Sequence, residues 1–381
     1  VPEGDLVDTA EASADGLKWT LKFKQGIKWH NLAPVNGRAF TSDDLKFSWG
    51  RMTDPKNTNR ANFSFVDKVE FPDAGTAVFT LSGPNAGFKD LLADPTNLIV
   101  MPTESDGKFD PTVWAQGIRQ AIADKADGIM LYIIDCNLVK GPLQQAKAAG
   151  IPVVGMESLD CDFTNPGDKP LLADTPPYVE GKFSKWIRDY GTVQALWTIN
   201  KEDGKPDTLL ARTDEAQAFT QIRLGVEREY KKCPECKLTD YAFKNADLGP
   251  TLRSKTEQAL LRNPNADSIN LSYDGLAPGG VAAAVQSSGR DIQVVGSEGD
   301  RAVMEIIRSG KPGYDAGVGI PSQWEGYAAM DALNRVFHQQ KVVGSGIGLQ
   351  LFDKDHNVPP SGPYKAPFDF KAIYAKAWGV G

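Results

Sequence analysis

Hydrophobic and polar positions change rhythm near residue 105. Before it, the chain reads mostly as strands. Trp19, Leu21 and Phe23 alternate with Lys18, Thr20, Lys22 and Lys24, the period of two of a half-buried strand. Gln25 and Gly26 read as a tight turn, with Ile27 and Trp29 on a return strand. Thr41 to Asp44 read as a helix start, because short polar side chains satisfy the first amides there. Leu45, Phe47, Ser48 and Trp49 continue that helix. Val66 to Phe71 and Ala77 to Leu81 predict a strand pair around Asp73, Ala74 and Gly75. A short helix, Phe88 to Leu92, and an apolar run, Leu98 to Met101, close this part. Trp19, Trp29 and Trp49 are expected in its core.

After residue 106 helices and strands alternate. Val113 to Ala123 predicts an amphipathic helix. Gly128 to Ile134 is a continuous apolar run, as expected of a parallel strand covered on both faces. Leu138 to Ala149 is a helix ended by Gly150, and Pro152 to Met156 is the next strand. Residues 160 to 182 form a long loop rich in Pro, Asp and Gly. Further helices are expected at Phe183 to Asn200, Glu215 to Lys231, Leu248 to Arg262, Pro278 to Ser287, Arg301 to Ser309 and Gln323 to Phe337. Strands are expected at Thr208 to Ala211, Leu238 to Phe243, Ser268 to Leu271, Gln293 to Val295 and Tyr314 to Gly319, with Gly348 to Phe352 as a closing strand. Such alternation builds right-handed βαβ units around a parallel sheet. No fixed-period repeat or low-complexity tract is present.

Composition narrows the function classes. The 381 residues exceed the usual size of one domain. The net charge of -7 and the absence of a long basic run argue against nucleic acid as the main partner. No apolar run approaches the roughly 18 residues of a membrane span. With Val1 at its start and no apolar leader, the chain reads as a mature or trimmed form.

Four cysteines, Cys136, Cys161, Cys233 and Cys236, permit two disulfides and suit an oxidising compartment. The alternative is two buried thiols and a surface thiol pair. Cys136 and Cys161 follow consecutive parallel strands, and neighbouring strands run about 5 Å apart, within bridging range. A bridge there closes a long loop and is expected to stabilise by about 3 kcal/mol. One between Cys233 and Cys236 constrains little. A single Cys-Pro-Glu-Cys unit with three scattered histidines, His30, His338 and His356, gives no zinc pattern. No metal or cofactor is expected.

Two stretches carry a family resemblance. The segments DGIMLYIID at 127–135, AKAAGIPVVG at 146–155, NADSINLSYD at 265–274 and VVGSE at 294–298 resemble the periplasmic sugar-binding family (type I, ribose-binding-like) over roughly 106–381. That resemblance implies an α/β fold of two lobes with parallel sheets closing on a ligand. The first lobe would comprise 106–190 plus 321–345, and the second 191–320 plus 346–381. The family's opening strand, helix and strand are not found before the helix at Val113. In their place, ADGLKWTLKFKQGIKWH at 14–30, FTSDDLKFSW at 40–49 and VFTLSGPN at 78–85 are similar to a fragment of the family 5 (peptide and nickel) solute-binding proteins. Residues 1–105 therefore read as a small α+β strand-rich module, and the chain as a fusion joined near Asp106 to Asp110.

Parallel α/β sheets bind ligands beyond the carboxyl ends of their strands. That rule selects Asp135 and Asn137; Glu157, Ser158 and Asp160; Arg212 and Thr213; Tyr273 and Asp274; and Glu298. Gln323 and Trp324 start the helix after the strand ending at Gly319. The same carboxylates are also helix N-cap candidates, and Trp324 could pack between the lobes. By the resemblance, Glu157, Asp274 and Glu298 sit where the sugar-binding family places polar ligand contacts. Carboxylates and aromatic faces suit a sugar or polyol, and equally a cationic ligand.

These readings converge on a periplasmic or extracellular solute-binding protein without catalysis, delivering a sugar or polyol to an ABC transporter permease by hinge closure. They leave room for a membrane anchor on a segment outside this chain. An enzyme is disfavoured, because no Gly-x-Ser-x-Gly, glycine-rich phosphate loop or His-Glu-x-x-His is present, although paired carboxylates can act on a glycoside. A DNA-binding regulator would need a helix-turn-helix where the strand-rich module stands. The remaining alternative is a hybrid that folds but has lost its ligand site.

Overall fold

The computed structural model describes residues 6–29, 35–54, 57–93, 98–105, 111–179 and 181–380. The chain divides into two compact units, Val1–Phe109 and Asp110–Gly381. The junction segment at 106–110, like His30, lies outside the described residues.

The first unit is an antiparallel sheet with a helix. Its strands are β1 (Val7–Ala12), β2 (Lys18–Phe23), β3 (Val66–Asp73) and β4 (Thr76–Leu81), in the order β1-β2-β4-β3. The helices are α1 (Ser42–Met52) and α2 (Phe88–Ala93). The period-two pattern works as expected: Trp19, Leu21 and Phe23 turn inward onto Phe79, Leu81 and Phe88. Trp49 meets Phe63 and Phe79 edge-on, each at 5.2 Å. The return strand expected at Ile27 and Trp29 is reduced to one bridge, Lys28 to Ala39. Asp44 is the polar anchor of this unit. Its buried carboxylate accepts from Trp29 Nε1 at 3.0 Å, both Arg38 Nη atoms, and the amides of Thr41 and Thr103 at 3.1 Å. Burial pushes this carboxyl up, but the hydrogen bonds from Arg38, Trp29 and the amides of Thr41 and Thr103 together hold it below its ordinary range.

The second unit has two sheets with helices between and around them. The small sheet pairs β5 (Ile129–Tyr132) with β6 (Val153–Met156) in parallel, and Asp174 adds a parallel bridge to Val154. The larger contains β7 (Asp207–Arg212), β8 (Lys237–Ala242), β9 (Ser268–Asn270), β10 (Gln293–Glu298), β11 (Ala316–Gly319) and β12 (Leu351–Asp353). Its order is β12-β11-β10-β9-β7-β8, parallel except for β12. The helices are α3 (Pro111–Ala123), α4 (Cys136–Ala148), α5 (Cys161–Thr164), α6 (Phe183–Lys201), α7 (Gln217–Tyr230), α8 (Pro250–Arg262), α9 (Ala282–Ser288), α10 (Arg301–Ser309), α11 (Ser322–Phe337) and α12 (Phe370–Trp378). The buried strands are Val-, Leu- and Ile-rich, as doubly covered parallel strands require.

Two packing features set the site. Helix α11 returns from the larger sheet to lie against β6, which places its first turn beside the carboxyl end of the small sheet. Helices α6 and α7 cross at Gly191 and Gly225, where a Cβ would land on the carbonyl oxygens of Ile222 and Arg188. Strand β5 pairs only with β6 among the described residues. Its Met130 and Tyr132 side chains, on one face of the strand, are 44% and 48% exposed.

Candidate functional site

Three strands of the second unit end in strained backbone. Ile133 after β5, Glu157 after β6 and Glu298 at the end of β10 have φ of 57°, 47° and 70°. Non-glycine residues avoid this region, and such outliers concentrate where function requires a fixed side-chain direction. Here the turns direct two glutamates from two sheets.

Glu157 is buried and accepts a hydrogen bond from the Tyr132 hydroxyl at 3.0 Å. That hydroxyl also lies 3.4 Å from Oε2 of Glu325, in the first turn of α11. Glu325 is wholly buried, and its Oε1 accepts from Tyr178 at 2.9 Å. Burial raises both carboxyls above the ordinary range, and for Glu157 the charge of Glu325 adds to it. Glu298 is raised by burial and then by Asp300, Asp274 and Glu157. Glu157 and Glu325 thus share the Tyr132 hydroxyl at the carboxyl end of the small sheet, while Glu298 lies at the end of β10 with Asp274 and Asp300. An aromatic wall supports both groups. Trp186 of α6 lies 4.4 Å from the Tyr178 ring and 5.6 Å from that of Tyr190. The Tyr190 hydroxyl accepts from the amide of Glu298 at 2.6 Å and donates to the Val318 carbonyl at 2.5 Å.

The other residues selected from the sequence have different surroundings. Asp135 is buried and accepts from the amides of Leu159 and Gln217, at 3.0 and 3.1 Å. Asp160 caps α5 and gathers the amides of Cys161, Leu171 and Leu172. Asp274 accepts from the amides of Ser297, Gly299 and Asp300 and from the Tyr314 hydroxyl. Burial nevertheless pushes its carboxyl up to about 8. These three carboxylates therefore hold loops in place. Arg212 is exposed and paired with Asp214 and Asp240. Tyr273 donates to Asn245 at 2.5 Å and stacks on Phe219 with ring centres 5.3 Å apart. Asn137 and Gln323 are exposed, Ser158 donates to the Met156 carbonyl, and Thr213 lies 3.3 Å from a Glu215 oxygen. Trp324 packs edge-on to Phe368 at 4.7 Å and stacks on Phe370 at 6.0 Å, in the core.

Tyr132, Tyr178 and Glu325 were not selected from the sequence. Glu325 had a signal, because it directly follows Trp324 at a helix start beyond a strand. Tyr132 was hidden inside an apolar run and Tyr178 inside the long loop.

Both disulfides form, Cys136 to Cys161 with Cα atoms 5.0 Å apart and Cys233 to Cys236 at 5.3 Å. The first ties the start of α4 to α5 and so braces the loops after β5 and β6. Carboxylate oxygens of Asp274, Glu298 and Asp300 lie within 4.8 Å of one another. Asp274 already serves three amides and a hydroxyl, which leaves a poor metal donor. A cavity of about 410 Å³ opens beside the loop after β6, lined by Ser158, Asp160, Phe163, Asp174 and Lys182 among others. No helix of the described residues is long and apolar enough to cross a membrane.

Comparison with known proteins bears on the family and the fold. The periplasmic binding protein domain matches residues 72–341. The middle domain of the bacterial extracellular solute-binding proteins, family 5, matches residues 1–115. The chain is 34% identical over 99 residues to a glutathione-binding protein of Pectobacterium atrosepticum, covering 26% of this chain and 18% of that one. It is 30% identical over 109 residues to a di/tripeptide-binding protein of Pseudomonas aeruginosa, covering 25% and 20%. The chain thus spans about a fifth of the length of the curated relatives it matches. Among solved structures, a solute-binding protein from Agrobacterium vitis with bound alpha-D-tagatopyranose superposes with TM-score 0.56 at 18% identity, covering 66% of this chain and 84% of that one. The arabinose-transporter binding protein from Shewanella sp. ANA-3 gives 0.53 at 19% identity, covering 70% and 83%. At these identities the likeness establishes a two-lobed type I fold.

Proposed function

The chain belongs to the periplasmic binding protein domain family, and on that footing we propose that it captures a small polar solute, a sugar or polyol in the first instance, between its two lobes and presents it to an ABC importer. The observation that supports this most is that β6 and β10, in two separate sheets, both end on a glutamate held at positive φ, Glu157 and Glu298, with Glu325 of α11 beside the first. A ligand that touches both sheets binds the closed arrangement better than the open one, and shifts the population by that difference. Carboxylates accept strong hydrogen bonds from ligand donors, and the buried Tyr178, Trp186 and Tyr190 rings pack behind them. Glu157, Glu298 and Glu325 are the contacts we assign, with Tyr132 and Tyr178 orienting them. Asp135, Asp160 and Asp274 shape the loops. The role is binding without turnover, outside the cytoplasm, where both disulfides persist.

The uncovered edge of β5 favours one competing reading, a hybrid that folds but has lost its ligand. Thermal unfolding across a panel of sugars and polyols separates the two. A ligand selective for the folded state raises Tm by mass action, with a matching fall in the radius of gyration on closure. A cooperatively folded sample that responds to no compound argues for the hybrid.

A further inference from the structure

The cavity of about 410 Å³ lies within the second unit, among the loop after β6, the segment at 170–177 and the start of α6. None of Glu157, Glu298 and Glu325 lines it. Its volume falls in the roughly 300–1,000 Å³ range of small-molecule sites, and protein interiors otherwise close such gaps. The chain around it is fastened at several points. Asp160 gathers the amides of Cys161, Leu171 and Leu172. Asp174 bridges to Val154 of β6. Lys140 pairs with Asp168 at 2.6 Å, Lys147 donates to the Pro170 carbonyl at 3.0 Å, and the Ser345 amide donates to the Pro177 carbonyl at 2.7 Å. The Cys136–Cys161 bridge anchors α5. A site held in place before its ligand arrives gives up less freedom on binding.

The lining carries both signs of charge. Asp162, Asp174 and Lys182 all line the cavity, yet no ion pair joins them, and neither Asp162 nor Lys182 has an ion-pair partner among the described residues. Lys182 is the N-cap residue of α6, and its side chain does not cap the helix. Its carbonyl accepts from the amides of Lys185 and Trp186, while those of Phe183 and Ser184 have no acceptor inside α6. The wall at 182–184 therefore offers a cation and two amides, and Asp162 and Asp174 offer carboxylates. Phe163, Leu172 and Pro177 add apolar surface.

We propose that this cavity is a second small-molecule site and that it takes a free α-amino acid. The carboxylate meets Lys182 and the amides of Phe183 and Ser184, the ammonium meets Asp162 and Asp174, and the side chain lies on Phe163 and Leu172. A simple anion would face the two aspartates and a simple cation would face Lys182, whereas a zwitterion satisfies both. The assignment goes beyond the solute-capture reading and does not depend on it.

Isothermal titration of the full chain at neutral pH tests this with leucine, phenylalanine, serine and glutamine. Each is compared with its amide, which lacks the carboxylate, and its N-acetyl derivative, which lacks the ammonium. At least one amino acid is expected to bind, with both derivatives about tenfold or more weaker. Lys182→Gln and Asp174→Asn, checked for folding by circular dichroism, should each weaken binding about threefold to tenfold. Asparagine keeps an oxygen for the Thr175 amide that Asp174 accepts at 2.7 Å. Lys182 is exposed, so Lys182→Gln decides the matter if the other variant does not fold. The assignment is overturned if no amino acid binds, if a derivative binds as tightly as its parent, or if binding is unchanged in either folded variant. None of these outcomes touches the sugar and polyol panel, on which the solute-capture reading stands or falls separately.

Discussion

The Asp135 carboxylate accepts a 3.1 Å hydrogen bond from the backbone amide of Gln217, 82 positions further along the chain. The acceptor sits where β5 ends and α4 begins, and the donor is the first residue of α7. A negative charge at a helix N-terminus is favoured by the exposed amides there. The same carboxylate holds the amide of Leu159, so one side chain joins the loops after β5 and β6 to a helix of the larger sheet. Replacing Asp135 by Ala leaves the buried Leu159 amide and the half-buried Gln217 amide without their acceptor, and should destabilise by about 1–3 kcal/mol. Urea unfolding reads this directly. An unchanged midpoint would show that the contact carries no stability.

The pH dependence of stability follows from the buried acids. Glu157, Glu298 and Glu325 are raised by burial, and Asp274 is pushed up to about 8 from 3.8. Unfolded carboxyls titrate near 4. Between that value and the folded one, the native state binds more protons than the unfolded chain, so stability falls as pH rises. The depressed carboxyls, such as Asp44 and Asp247, lose their contribution only when pH drops through their lower folded values. Tm without ligand should therefore be higher near pH 5 than near pH 8, and Glu157→Gln should flatten the slope. A Tm that climbs steadily from pH 5 to 8 would contradict the buried cluster.

Helices α6 and α7 depend on two glycines. At Gly191 and Gly225 an added methyl meets the backbone of the opposite helix, which cannot yield like a side chain. Gly191→Ala or Gly225→Ala should cost about 3 kcal/mol or more through overpacking. Gly117, exposed on α3 with nothing within 4 Å of a built Cβ, is the control. There alanine should be neutral or stabilise by roughly 0.5–1 kcal/mol. Equal effects at all three positions would falsify the close crossing.

The two disulfides should differ in worth. The Cys136–Cys161 bridge has a separation of 25 residues and the Cys233–Cys236 bridge a separation of 3. Loop entropy gives about 3.5 kcal/mol for the first and roughly 1.5 kcal/mol for the second. Paired serine substitutions compared by guanidinium unfolding should reproduce that order. Because the longer bridge braces the loops carrying Glu157 and Asp135, its loss should also weaken ligand binding, and the shorter one should not.

The local pattern settled much of this protein. The helix expected at Arg301 to Ser309 forms with those limits, and the alternation after residue 106 gives the strands of both sheets within a few residues. Glu157 and Glu298 were accessible because each directly follows an apolar strand, a relation between chain neighbours. The pattern missed β1, whose VDTAEA segment carries little apolar alternation, and α12, which lies on Trp324 and Tyr327 through Phe370, Tyr374 and Trp378. Tertiary packing alone decided the rest. Glu325 reaches the Tyr132 hydroxyl across 193 positions because α11 returns to β6. Asp135, Asp160 and Asp274 look like Glu157 in sequence, yet backbone amides surround them. Periodicity records which face of an element is buried. It does not record what that face meets, and the partners that separate an amide-bound carboxylate such as Asp135 from Glu157, which shares the Tyr132 hydroxyl with Glu325, come from distant parts of the chain.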